Sequence, residues 1–363
     1  MCSQSSLLLA IAAMILSVAA NNCSTGSYVV VSDQTELDAA LAGCSSFGRN
    51  IVIGESYDGV VDFANVTHFS GEIGSSGDGT PNVTEILLPD AVECSSLDFS
   101  GMTNFRNISA PNLSTITSLR EDSSTVLTVD LPEVSSAAVL EIAGHSLQVN
   151  MAKLENVTVF LQLTNGDSSD AFAVDLPALR YASELSITGS LSRISLPALD
   201  SVQDSIEIGI SGDAIDLTLP RLKEAGSMLN LQGNFSSIEL PSLVEATNAT
   251  IQIEPSAPLS LNFTHLVRAG KIVLTGEITD VHFPVLESVD SISITSSTQV
   301  NCTGYYQAVN RTHLANDGES ACSGISANQS SSSDKKASEG TKIGVGVGAG
   351  VGGLLVLLGA WLL

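Results

Sequence analysis

A proline in the setting apolar-x-apolar-Pro-x-apolar recurs through the middle of this chain, and no other feature constrains the fold as tightly. It stands at Pro89, Pro111, Pro132, Pro177, Pro197, Pro220, Pro241 and Pro284, with Ala152 and Thr264 keeping the same frame in two further turns. Nine steps cover the 195 residues from Pro89 to Pro284, so each turn averages about 22 residues. The residue before the proline position is Leu88, Ala110, Leu131, Met151, Leu176, Leu196, Leu219, Leu240, Phe263 or Phe283. The residue two after it is Ala91, Leu113, Val134, Leu154, Leu179, Leu199, Leu222, Leu243, Leu266 or Leu286. The columns three before (Ile86 to Val281) and five after (Cys94 to Val289) are apolar in every turn as well.

A second alternating pair follows in most turns, as in Leu97/Phe99, Leu140/Ile142, Leu185/Ile187, Ile206/Ile208, Leu229/Leu231, Ile272/Leu274 and Ile292/Ile294. Period-two alternation turns one face inward and the other outward. Proline ends a strand because it lacks an N–H for the ladder and fixes φ. Gly144, Gly189, Gly212, Gly233 and Gly276 punctuate a second corner. One such turn cannot bury its apolar face alone, whereas stacked turns share a continuous core. The expected fold is a right-handed parallel β-solenoid of about ten to eleven turns of 20–25 residues, occupying residues 60–300.

Both ends of a solenoid need covering, since a bare terminal turn exposes strand edges and core. At the front, Val61, Phe63, Val66 and Phe69 fit a degenerate extra turn, with Ala64-Asn65 at its corner. Asp33 to Gly43 reads as a short helix, with Asp33 as N-cap, Leu37 and Leu41 on one face and Gly43 after the end. Cys23 and Cys44 bracket this segment, and Cys302 and Cys322 bracket the far end. In a secreted chain such local pairs read as disulfides, each closing a loop of about 20 residues and contributing roughly 3 kcal/mol. The caps are then 21–59 and 301–324. Cys94 is left over on an apolar column and reads as a buried free thiol.

Residues 1–20 have the layout of a secretory signal: Leu7 to Val18 is an apolar run, and Val18-Ala19-Ala20 supplies small residues for cleavage. Residues 325–342 form a Ser-rich linker and polar spacer, and Ile343 to Leu363 is an uncharged apolar tail. Small residues, spacer and tail together are the layout of a GPI signal, with Ser331, Ser332 and Ser333 as attachment candidates. The tail is long enough to span a membrane as a single helix, but it lacks the basic flank that stops transfer, which favours the lipid anchor. The expected location is the extracellular face of the plasma membrane or the cell wall.

Fourteen basic against 39 acidic side chains give a formal charge of −25, which excludes nucleic-acid binding by phosphate neutralisation and repels an anionic membrane surface. Asn-x-Ser/Thr sequons occur at Asn22, Asn65, Asn82, Asn107, Asn112, Asn156, Asn234, Asn248, Asn262, Asn301, Asn310 and Asn328. So many in a chain with a signal-like start point to the secretory pathway, and none of these asparagines falls on a core column.

With its Leu-Pro-x-Leu corners, as in Leu176-Pro177-Ala178-Leu179, Leu196-Pro197-Ala198-Leu199 and Leu240-Pro241-Ser242-Leu243, the chain resembles the fungal GPI-anchored cell-wall-organisation proteins. These are related to the sporulation-specific surface proteins and carry receptor L-domain-like repeats. The terminal cysteine pairs, the Ser-rich linker and the tail match too, so the resemblance covers roughly residues 21–363. It implies a role in fungal wall integrity, without enzymatic activity. Membrane attachment through the lipid is the expected partnership, with cell-wall polysaccharide a further candidate and no cofactor.

Motifs for chemistry are weak. The histidines His68, His145, His265, His282 and His313 are scattered without metal-ligand spacing. A polysaccharide-cleaving β-helix needs paired acids. Asp130, Asp175 and Glu239 share the outward column two before the proline, but they lie two or more turns apart, so Asp130 and Asp175 are roughly 10 Å apart. Gly166–Asp170 and Gly212–Asp216 are acidic corner loops with a weak calcium-like look. No catalytic or metal residue is assigned. A surface adhesin or recognition module is the alternative function, and a face without sequons would favour it.

Overall fold

The computed structural model describes residues 23–24, 26–75, 81–122, 126–166, 171–312, 314 and 320–325. The signal-like segment, Asn22, Asp167 to Asp170, His313, Asn328, Ser331 to Ser333 and the apolar tail lie outside them.

The repeat folds as its columns require, into a parallel β-solenoid of about 12 turns. Every strand pairing is parallel, and equivalent repeat positions stack in register: Leu185, Ile206, Leu229, Ile251, Ile272 and Ile292 are successive ladder partners. All six are fully buried. Because the rungs repeat at about 4.8 Å, each apolar column becomes a continuous aliphatic stack. The four columns flanking the proline are buried throughout, apart from Val149, which is half-buried.

The proline corner has a simple cause. The carbonyl of the residue before proline accepts a hydrogen bond from the amide two after it, as in Leu179 N to Leu176 O at 3.2 Å and Leu199 N to Leu196 O at 3.3 Å. Proline therefore occupies the second position of a β-turn, where its fixed φ is already correct and its missing N–H is not needed. At a second bend the ladder slips register, for example between Ala182 and Glu184 and between Ala246 and Thr250. Such bulges bend the strand and divide the long sheet into a short and a broad segment. The third corner takes positive φ at Gly189, Gly212, Gly233 and Gly276. Gly144 differs from the expectation: it ends a strand, buried and without positive φ.

The turn count exceeds the ten to eleven expected because the ladder continues into both end segments. Strand Tyr28–Val31 pairs with Asn50–Ile53, which pairs with His68–Ser75, and Ala321–Ser323 adds to Ser288–Ser296 at the other end. Helix α1, Gln34–Leu41, lies at the front with Leu37 and Leu41 buried. Asp33 caps it by accepting from Glu36 N at 2.9 Å, while the Glu36 carboxylate accepts from Ser32 N at 2.8 Å. Beneath it, Tyr57 is buried and donates to Gln34 Oε1 at 2.7 Å. Burial pushes the Tyr57 phenol up to about 12, and Asp38, Asp33 and Asp62 add to the rise. At the far end a second helix, α2, Thr303–Thr312, buries Tyr305 and Ala308, and Arg311 donates to Phe283 O at 2.7 Å. Disulfides Cys23–Cys44 and Cys302–Cys322 close the two ends.

Candidate functional site

Three outward surfaces follow from the three bends. The proline wall carries the strands that run into the proline corners, such as Asn82–Leu87, Val126–Asp130 and Leu259–Asn262. A short wall follows the corner, with outward residues such as Asn156, Tyr181 and Ser201 in register. A broad wall lies beyond the bulge. Its outward column reads Asp98, Arg120, Glu141, Gln162, Ser186, Glu207, Asn230, Gln252, Val273 and Ser293 in successive register.

Outward side chains bind one another from rung to rung. On the proline wall, Asn150 donates to Asp130 at 2.7 Å, and Arg193 pairs with Asp175 at 3.1 Å. Elsewhere Lys153 meets Glu133 at 2.5 Å, Lys223 meets Asp200 at 2.7 Å, and Arg268 pairs with Glu245. These pairs are solvent-exposed, so each contributes no more than about 1 kcal/mol. Asp130 and Asp175 are thus separated by the Asn150 rung and held by neighbours, an arrangement of surface ladders. In the loop Gly212–Asp216, the Asp216 carboxylate accepts from Ser237 at 2.6 Å and Ser236 at 2.8 Å, which holds it below its usual range. It is engaged by the next rung and not gathered with Asp213. Among the described residues no three His, Cys, Asp or Glu side chains come together as a metal site. His282 is exposed beside Asp280 at 2.9 Å, His68 and His265 contact their preceding threonines, and His145 is exposed at a bend.

Two buried polar residues were not legible in the repeat. Glu121 is fully enclosed and takes the ladder place that Ile142 holds in the next rung. Asn165 is buried at a corner, where its Oδ1 accepts from Leu147 N at 3.3 Å and its Nδ2 donates to Ser190 O at 2.9 Å. Cys94 is buried on its column as a free thiol, and burial pushes it up to about 12 against the lowering effect of a backbone hydrogen bond at Ser96. It is correspondingly a poor nucleophile.

The sequon asparagines divide unevenly among the surfaces. Asn82, Asn107, Asn234 and Asn262 lie on the proline wall or its leading edge, and Asn65 and Asn112 sit at its corner. Asn156 stands on the short wall, Asn248 in the bulge, and Asn301 and Asn310 in the C-terminal cap. All ten are exposed or half-exposed. Among the described residues the broad wall carries none.

Surface depressions follow the same division. A groove of about 760 Å³ lies where the broad wall meets the third corner, lined by Gly189, Gly209, Ile210, Ser211, Gln232, Gly233, Glu254, Pro255, Ser256, Gly276, Glu277 and Ser297. Three other depressions each include a sequon asparagine in their lining: Asn65 beside helix α1, Asn248 at the bulge and Asn262 on the proline wall. No helix of the described residues is long and apolar enough to cross a membrane. No protein-family model matches the chain, and no curated protein and no solved structure does so either.

Proposed function

We propose that this chain is a non-enzymatic, GPI-anchored cell-surface glycoprotein that contributes to the organisation and integrity of a fungal cell wall. The observation that carries the reading is the placement of the ten described sequons, all outside the core and at least partly exposed, on a solenoid whose ends are closed by disulfides. Disulfides and glycans belong to the oxidising side of the membrane. Two of the three outward acids that a polysaccharide-cleaving enzyme would draw on, Asp130 and Asp175, are held in rung-to-rung bonds, and the third, Glu239, is exposed to solvent, which favours a structural role. The resemblance carried by the Leu-Pro-x-Leu corners supplies the fungal wall, and the tail supplies the anchor.

A recognition role is the second reading, and the sequon-free broad wall favours it. In either role the protein works by presenting surface among wall polymers. The test is growth of cells lacking the protein on a wall-stressing dye such as Congo red. Hypersensitivity rescued by the full chain, and not by one ending before Ser330, is the expected result. Normal growth under stress of a strain without a paralogue would overturn the wall-integrity reading.

A further inference from the structure

We infer that the broad-wall groove around Gln232 and Glu254 is a binding site for a linear, neutral polysaccharide. The inference rests on the reading above only for which polymer is nearby; the site itself is argued from the surface.

The broad wall is free of sequons although it sits one substitution away from several. Gln162-Leu163-Thr164, Ser186-Ile187-Thr188, Val273-Leu274-Thr275 and Ser293-Ile294-Thr295 each have the threonine without the asparagine. Asn230, the one asparagine of the outward column, is followed at the second place by Gln232. The other walls present sequons at matching outward positions, as at Asn107, Asn156 and Asn262. A glycan covers any flat surface beneath it, so the wall kept bare is the one open to a large ligand.

The groove has the dimensions of an extended chain. Its floor passes through the ladder partners Gly189, Ile210, Gly233 and Pro255 and on to Gly276. Five rungs at about 4.8 Å make it roughly 20 Å long, running parallel to the solenoid axis. Glycines in the floor let a ligand approach the backbone without meeting side chains. The rim offers Gln232, Ser256 and Ser297, whose amide and hydroxyls both donate and accept, as sugar hydroxyls do. Gln232 is pre-arranged, its Nε2 donating to Asn230 Oδ1 at 3.1 Å. Pre-arrangement lowers the ordering cost of binding.

Charge and shape exclude the rivals. Glu254 and Glu277 with no basic residue in the groove repel an anionic polymer, as does the net charge of −25. A cationic polymer would be drawn to acids on every wall without choosing this one. A peptide strand would need a free sheet edge or apolar pockets, whereas these rungs are paired on both sides and Ile210 and Pro255 are buried. The groove has no aromatic platform, so affinity must come from length and weak hydrogen bonds repeated along the chain.

The test uses the full glycosylated chain, purified in detergent, and soluble neutral β-glucan oligosaccharides of increasing length. Glu277→Asn creates the sequon Asn-Ile278-Thr279 in the groove, and Arg193→Asn creates Asn-Ile194-Ser195 on the proline wall, each checked by an endoglycosidase-sensitive mass shift. The wild type and Arg193→Asn should bind alike, with affinity rising at least tenfold from the disaccharide to the longest oligomer. Glycosylated Glu277→Asn should lose at least tenfold. Gln232→Thr, which makes Asn230 a sequon, should give the same loss and serves if Glu277→Asn is not secreted or not modified. Asn234→Gln should leave binding unchanged, since that sequon follows Gly233 without lining the groove. Absent wild-type binding, undiminished binding by both glycosylated groove variants, a gain in Asn234→Gln, or binding of chitosan in preference to the neutral chain would each overturn the inference. Growth on Congo red separates the two levels: a groove variant that fully rescues the deletion strain while failing to bind leaves wall integrity standing without this site.

Discussion

Gly233 and Gly101 both have positive φ, +110° and +81°, yet replacing them with alanine should have very different consequences. A Cβ on Gly101 would meet nothing within 4 Å, so Gly101→Ala loses only the preference of an L-residue for negative φ, about 1–2 kcal/mol. A Cβ on Gly233 would lie 2.0 Å from the Ile210 carbonyl oxygen, where real contacts do not fall below 3.0 Å. That oxygen belongs to the neighbouring rung, and Gly233 itself is hydrogen-bonded onward, with Ser256 N donating to its carbonyl at 2.9 Å. Relief therefore means opening the ladder by about 1 Å on one side. Two weakened ladder bonds at about 1 kcal/mol each, added to the φ penalty, bring Gly233→Ala to roughly 3–4 kcal/mol. Solenoids unravel locally, so the assay is amide hydrogen exchange alongside guanidinium denaturation. Protection at Ser256 and the adjoining rungs should fall about a hundredfold or more in Gly233→Ala, with no comparable local change in Gly101→Ala. Equal losses in the two variants, within about 0.5 kcal/mol, would refute the claim that rung-to-rung closeness decides this corner.

Other perturbations follow from the same geometry. Leu222 is fully buried in the column between Leu199 and Leu243. Leu222→Ala should cost about 3–4 kcal/mol, because rungs held by their ladders cannot collapse into the cavity. Lys223→Ala, which breaks only the exposed pair with Asp200, should cost under about 1 kcal/mol in the same denaturant titration. Replacing Cys302 and Cys322 together by serine should remove roughly 3 kcal/mol from the C-terminal cap, read as faster proteolysis around helix α2 with the central rungs unaffected. Native Cys94 should resist iodoacetamide at pH 9 and react once unfolded, since its thiol is pushed up to about 12. A thiol whose folded value exceeds its unfolded one contributes stability below about pH 9, lost as pH rises through about 12. Cys94→Ala should therefore flatten part of the alkaline loss of stability, the remainder including Tyr57, which titrates in the same window.

The columns were readable because solenoid stacking is local: each turn needs the same apolar positions as its neighbours, so the constraint repeats along the chain. Leu37, Leu41 and the Asp33 cap were equally legible, since helix signals act within a few residues. Helix α2 escaped notice because its buried face is short, only Gly304, Tyr305 and Ala308, and it owes its place to the last rungs beneath it. Glu121 broke an aliphatic column that nothing in the repeat exempted.

The sequence by itself determined the period, the proline corner, which side chains point inward and the cysteine pairs closest in the chain. It also settled that the sequon asparagines avoid the core. Tertiary structure alone decided how those asparagines distribute around the solenoid. The bulges at Ala182/Glu184 and Ala246/Thr250 shift the register by different numbers of residues, so counting from the proline loses the facing of everything beyond them. Only the ladder shows that Gln162, Ser186, Glu207, Asn230 and Gln252 form one column, and that the wall they build is the one left without a sequon. A linear pattern specifies burial because burial is a property of each position; a surface spanning several rungs is a property of their registry, which the packed backbone sets.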